Sequence, residues 1–150
     1  MLGINKNFVK KIVKIILFFT IFLISACAGT GTKNLSAVNF EVPDNDSAVF
    51  VVRKKRYMAS AGLIKIVLDG QEVAQLGIGE MERVAISPGN HKISAQIGNI
   101  LQLGVQSDNE AFIAEKGKSY FFIADYDQGF FTAKWSLTPT TKEGFQSATN

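Results

Sequence analysis

The sequence predicts an all-β fold: an antiparallel β-sandwich of seven to eight short strands, preceded by a cleaved signal peptide and a flexible tether. Three observations predict it. Short runs rich in β-branched and aromatic residues follow one another from residue 47 to residue 137. Turn signals separate them, and several runs alternate apolar with polar residues, as a strand with one dry and one wet face must. After residue 27 no convincing amphipathic helix interrupts the series.

The chain opens on a different chemistry. Residues 1–26 carry Lys6, Lys10, Lys11 and Lys14 and no acid. An apolar stretch from Ile15 to Ile24, broken only by Thr20, ends in Ser25-Ala26. A cationic start, a short apolar core and small residues at the end form the pattern of a secretory signal peptide. The core is about half of the ~20 residues a helix needs to cross a bilayer, so a permanent single-pass anchor fits less well.

Cys27 follows at once and is the only cysteine, so no intramolecular disulfide can use it. Ile24-Ser25-Ala26-Cys27 resembles the lipobox of bacterial lipoproteins, an aliphatic residue, two small ones and a cysteine. The resemblance implies a diacylglycerol on the Cys27 thiol and cleavage by a dedicated signal peptidase between Ala26 and Cys27. Each buried methylene is worth ~0.8 kcal/mol, and two or more acyl chains hold a protein stably on a membrane. Ala28 follows the cysteine, where lipoproteins kept at the inner membrane often have aspartate. By that resemblance the chain goes to the outer membrane, facing the periplasm, or to the external face of the plasma membrane in a host without one.

Loss of residues 1–26 leaves 124 of the 150 residues, and the net charge of +3 falls to −1 because four lysines and no acids go. The basicity therefore belongs to the leader, and a nucleic-acid partner loses its support. Residues 27–46 read as lipid anchor and linker, since "AGTGTKNLSAVNFEVPDND" is small and polar. A coil of this length spans about 25 Å and stretches to ~65 Å. Its "GTGTK" has the wrong spacing for a phosphate-binding loop and no strand before it.

The sandwich domain is expected over 47–138, with 139–150 as a C-terminal tail. Its runs are "SAVFVV" (47–52), "LIKIVLD" (63–69), "QEVAQL" (71–76) and "MERVAIS" (81–87), then "HKISAQI" (91–97), "EAFIAE" (110–115), "SYFFIADY" (119–126) and "FFTAKWSL" (130–137). Asp69-Gly70 is a two-residue hairpin signal. Ser87-Pro88-Gly89-Asn90 suits a type II turn, with proline second and glycine third. Ile64, Ile66 and Leu68 alternate with polar neighbours, as do Ile93, Ala95 and Ile97, and Trp135 with Leu137. "YFFIA" is apolar on both faces, which predicts a central strand or one covered on both sides.

The turns also carry a likeness. The order "AVFVVR", "IVLDGQEVAQL", "ISPGNHKI", "EKGKSYFFIADY" and "LTPTTKEG" resembles a bacterial domain family of unknown function, frequent in small lipoproteins and related to PEGA-type β-sandwich modules. The positions that carry it are Arg53, Asp69-Gly70, Pro88-Gly89-Asn90-His91 and Gly117-Lys118-Ser119-Tyr120, within residues 47–145. "RKKRYMASAG" departs from the pattern. The resemblance implies a β-sandwich in the cell envelope and no established activity.

Candidate chemistry is sparse. His91 is the only histidine and sits directly after a turn, which suits a turn-stabilising role better than a metal site. Ser87 and Ser94 lie near it without a nucleophile elbow. Asp125 with Asp127, and Glu80 with Glu82, lack the six to eight oxygens that calcium takes. The most distinctive polar feature is Arg53-Lys54-Lys55-Arg56, a cationic loop suited to an anionic partner or lipid headgroup, or simply to solvent at a sheet edge. A second surface candidate is "NILQLGVQSDN" (99–109). No cofactor or metal is expected. The sequence reads as a non-catalytic module for an envelope protein partner, with a ligand-binding module for lipid, glycan or peptide as the alternative.

Overall fold

The computed structural model describes residues 29–55, 62–97, 107, 109–128 and 133–149. Over these residues the chain is an all-β sandwich. Its strands are β1 (Ser47–Arg53), β2 (Ile64–Leu68), β3 (Gln71–Leu76), β4 (Met81–Ile86), β5 (Gly89–Ile97), β6 (Glu110–Ala114), β7 (Ser119–Gln128) and β8 (Ala133–Thr140). They form two four-stranded sheets, sheet A in the order β4-β1-β7-β8 and sheet B in the order β3-β2-β5-β6. Neighbours are antiparallel except β1 and β7, which run parallel. Among the described residues no helix is long and apolar enough to cross a membrane.

The alternation decides what faces inward. Ile64, Ile66 and Leu68 of β2, Ile93 and Ala95 of β5, and Ala74 and Leu76 of β3 meet Val49, Val51, Phe122, Trp135 and Leu137 of sheet A. The hairpin between β2 and β3 turns on Asp69 and Gly70, at φ 51° and 83°, the paired positive values of a type I′ turn. The turn before β5 differs from the type II expectation. Gly89 has φ 141°, beyond the ~80° of that turn, and already pairs with Ala114 as part of the strand.

β1 and β7 are apolar on their outer faces too, and that surface needs a cover. A second core lies there, formed by Ala48, Phe50, Val52, Met81, Phe145 and Ala148, with Phe121 and Ile123 packed against it. Both segments expected to be loose provide the cover. Leu35, Val38, Phe40 and Val42 of the expected linker pack on this cluster. The expected tail instead completes β8 to Thr140 and then forms α1 (Lys142–Ser147), capped by the Thr141 side chain, which accepts from the Gly144 N–H. Phe145 is fully buried, its ring 6.1 Å from Phe40, 6.2 Å from Phe50 and 5.6 Å from Phe121. The apolar face of β1, not local periodicity, explains both corrections. A fully buried phenylalanine contributes about 1.5–3 kcal/mol, which offsets part of the cost of ordering a short segment against a sheet.

The N-terminal segment is thus a strap along the length of sheet A. It begins at the end of the sandwich where β1 finishes and β4 starts. There Thr32 and Met81 exchange backbone hydrogen bonds of 2.9 and 2.8 Å. It ends at the opposite end, where the Asp46 carbonyl accepts from Gly117 at 2.6 Å before β1 begins.

Candidate functional site

The two ends of the sandwich carry the polar chemistry, and they differ. The strap end is built around Arg53. Its side chain shares the inward row of Val49 and Val51, so it enters the sandwich instead of leaving it. It is 2% exposed. Nη1 donates to the carbonyls of Gly62 at 2.7 Å and Leu76 at 2.9 Å, and the guanidinium lies 5.1 Å from the Trp135 ring centre. Burial lowers its pKa, and the nearby Glu80 carboxylate opposes that shift. The cationic run 53–56 is therefore not one surface. Arg53 closes the core between the sheets and is not available to a partner, because its guanidinium is buried and satisfies the buried Leu76 carbonyl as well as that of Gly62.

Lys54 and Lys55 do face solvent. Lys54 pairs with Asp125 at 3.4 Å, its side chain half-exposed. The Lys55 stem lies over Gly79, where an added Cβ would come within 2.9 Å of it. Arg56 lies outside the described residues, as do Ala26, Cys27 and most of the 99–109 segment. From that segment Ser107 is buried and pairs with Ala95, donating its N–H and accepting at Oγ, both at 2.8 Å.

The strap start lies against this same end. Thr30 donates its N–H to the Gln75 carbonyl at 2.8 Å and accepts the Gln75 N–H on Oγ1 at 3.0 Å. Glycines make the approach feasible. A Cβ on Gly29 would come within 2.8 Å of the Gln75 carbonyl, and one on Gly31 within 2.9 Å of the Met81 carbonyl. The glycines of "GTGTK" thus serve close backbone contact with β3 and β4. Glu80 is engaged locally, accepting the Gly77 N–H at 2.8 Å.

The opposite end holds His91. Its Nδ1 lies 2.7 Å from an Asp69 carboxylate oxygen and its Nε2 lies 2.8 Å from the Ser87 carbonyl. Both partners only accept, so the geometry suits a ring protonated on both nitrogens. Burial disfavours that charge, but the hydrogen bonds to Asp69 and Ser87 and the Asp69 charge outweigh it, and the His91 pKa is raised. The Asp69 pKa is lowered by the Lys92 N–H, which donates at 2.8 Å, and by His91. With both nitrogens engaged, His91 clamps the 69–70 hairpin to the start of β5 and has no lone pair to offer a metal or a substrate. Among the described residues no three His, Cys, Asp or Glu side chains gather as a metal site.

Beside the clamp an open groove of about 390 Å³ runs over β5 and β6, lined by Asn90, Lys92, Phe112 and Ile113 among others. Ile113 is 68% exposed, out of line with the buried aliphatics elsewhere. β6 is an edge strand of sheet B. Sequence reasoning missed this groove. Its signal was "AFIA", in which Phe112 and Ile113 point to opposite faces and only one can join the core.

Comparison with family models, with curated proteins and with solved structures finds no match to this chain.

Proposed function

We propose that this chain is a lipid-anchored protein of the bacterial cell envelope, a non-catalytic interaction or accessory module held on a membrane through Cys27. The observation that carries the reading is the lipobox-like Ile24-Ser25-Ala26-Cys27, set directly after a lysine-bearing, acid-free leader with a ten-residue apolar run. Two features of the folded part support it. The strap packs its apolar side chains away, so the module has no need of a spanning helix to bury them. The only histidine is held on both ring nitrogens, by Asp69 and Ser87, in a turn-bracing role.

The test is intact-mass analysis of the protein extracted from membranes of cells that produce it, beside Cys27→Ala. The expected product starts at Cys27 with a diacylglyceryl mass, and the variant keeps its leader and carries no lipid. An unlipidated wild-type product would refute the anchoring. The interaction role is tested separately by crosslinking in intact cells and affinity capture. One protein recovered in near-equal amount supports it, and no enrichment defeats it.

The groove beside His91 favours one further reading, a module for a small ligand, since its volume falls in the range of ligand sites. A molecule retained through purification, and lost in Ile113→Asp, supports that reading over protein binding.

A further inference from the structure

We infer that the strap end of the sandwich is a membrane-facing surface, held flat against the bilayer that carries the Cys27 lipid, with its exposed lysines on anionic headgroups. The inference rests on the anchoring reading above and adds the orientation, the contact residues and the lipid class.

The first argument is length. A free linker from 27 to 46 would let the module wander tens of ångströms from its anchor. The chain is instead fixed from Thr30 onward, hydrogen-bonded to Gln75 and then to Met81. Two residues, Ala28 and Gly29, separate Thr30 from Cys27, and the three steps between them reach only ~11 Å even fully extended. A lipid on Cys27 therefore brings the ends of β3 and β4 and the 77–80 turn to the headgroup layer. No other end of the sandwich can reach it while the strap stays docked.

The second observation is which charges the tether brings to the headgroups. Lys33, Lys54 and Lys55 are exposed and lie at this end, Lys33 next to the Thr32–Met81 bridge and the other two directly after β1. Of the acids at this end, Glu80 holds the Gly77 N–H, Glu82 accepts the Arg83 N–H, Asp125 pairs with Lys54, and Asp127 stands further along β7. The exposed carboxylates of Asp44, Asp46, Asp69 and Glu115 belong to the opposite end, beside the start of β1 and the turns that precede β3 and β7. Exposed lysines stand at the far end too, Lys92, Lys116 and Lys118, so charge alone does not choose between the ends; the tether does, and it sets Lys33, Lys54 and Lys55 beside the headgroups. Each lysine beside an anionic surface raises binding about fivefold at moderate ionic strength. Tethering supplies the high local concentration that makes so small a contact effective. The groove at Phe112 and Ile113, near the opposite end, is then presented away from the membrane.

Lysine footprinting tests this on the full-length lipidated protein. It is placed in vesicles of phosphatidylcholine with one-third phosphatidylglycerol, treated with an amine-acylating reagent, and read by peptide mass spectrometry. Lys116 and Lys118 serve as internal controls at the far end. The expected result is labelling of Lys33, Lys54 and Lys55 at least about fivefold slower than in a variant with ten Gly/Ser residues inserted between Ala28 and Gly29. The controls should be equal in both proteins. Equal rates at both ends in the two proteins would overturn the orientation. Protection that persists unchanged on pure phosphatidylcholine would overturn the headgroup contact. The same spectra report the Cys27 mass, so failure of the orientation with the lipid present is distinguished from absence of the lipid, which overturns the anchoring and this inference with it.

Discussion

Replacing Arg53 by alanine is expected to destabilise the sandwich by about 3–5 kcal/mol, far more than replacing the exposed Lys54 or Lys55, because it removes a buried group with partners on β3, on β8 and on Gly62 before β2. The magnitude follows from what the side chain holds. The Leu76 carbonyl is buried and loses its charged donor at 2.9 Å, and the Gly62 carbonyl loses one at 2.7 Å. A buried group left unpaired costs about 1–3 kcal/mol. The guanidinium also leaves the Trp135 face, a contact worth about 1–2 kcal/mol when desolvated. The void between the sheets adds to both. One gain opposes these losses: burial disfavours the charge, as the lowered Arg53 pKa records. Arg53→Met keeps the bulk and sheds the charge, so it is expected to cost less than alanine, about 1–2 kcal/mol. The assay is urea unfolding followed by the fluorescence of Trp135, the only tryptophan and the ring that Arg53 covers. With a urea slope of about 1–3 kcal/mol/M, Arg53→Ala moves the midpoint by about 1–5 M. Lys54→Ala, a half-exposed control, should stay within about 0.5 kcal/mol of the parent. Equal small effects at 53 and 54 would refute the reasoning and return Arg53 to the surface.

Three further outcomes are expected. Phe145→Ala opens the second core where four aromatic rings meet and should cost about 3–5 kcal/mol by the same unfolding assay, with faster proteolysis of the strap. Gly70→Ala should cost about 1 kcal/mol, purely through its φ of 83°, since no atom stands within 4 Å of the added carbon. The His91–Asp69 clamp should make stability pH-dependent. Because the His91 pKa is raised, its contribution is complete below the unfolded value near 6.5 and is lost as pH rises through the folded value. Because the Asp69 pKa is lowered, its contribution is present above about 3.9 and is lost as pH falls through the folded value. Melting temperatures of the parent and His91→Gln, compared from pH 3 to 9, should therefore differ most between about 4 and 6.5. The pair is partly exposed, so the difference stays below about 1 kcal/mol.

The strands were legible because their information is local. Alternation in "IKIVL" and the Asp69-Gly70 pair fix a hairpin without reference to the rest of the chain. The strap carried one short alternation that was passed over, Val38, Phe40 and Val42 with Asn39 and Glu41 between them, and nothing periodic marks α1. Leu35, Val38, Phe40 and Val42 stand among polar residues, and Phe145 stands alone. Their burial is dictated from elsewhere, by the two-sided apolar character of β1 and β7, and that demand could have been read as a missing layer. Arg53 was misread for a related reason. Three cations follow it, and only its parity with Val49 and Val51 reveals that it points inward. The His91 clamp was anticipated as a turn feature, but its partner Asp69 is 22 residues away and became visible only with the register of β2 on β5.

The second core has a temporal consequence. Phe40 and Phe145 are 105 positions apart, yet they share one cluster. The cluster cannot close until Phe145 has been made. Until then Phe50 and Phe121 lack part of their cover, and the parallel pairing of β1 with β7 waits on residues about seventy positions later. Pairings of such long separation form slowly. A nascent chain that lacks α1 is therefore left open to proteases, because part of the cover over Phe50 and Phe121 is missing.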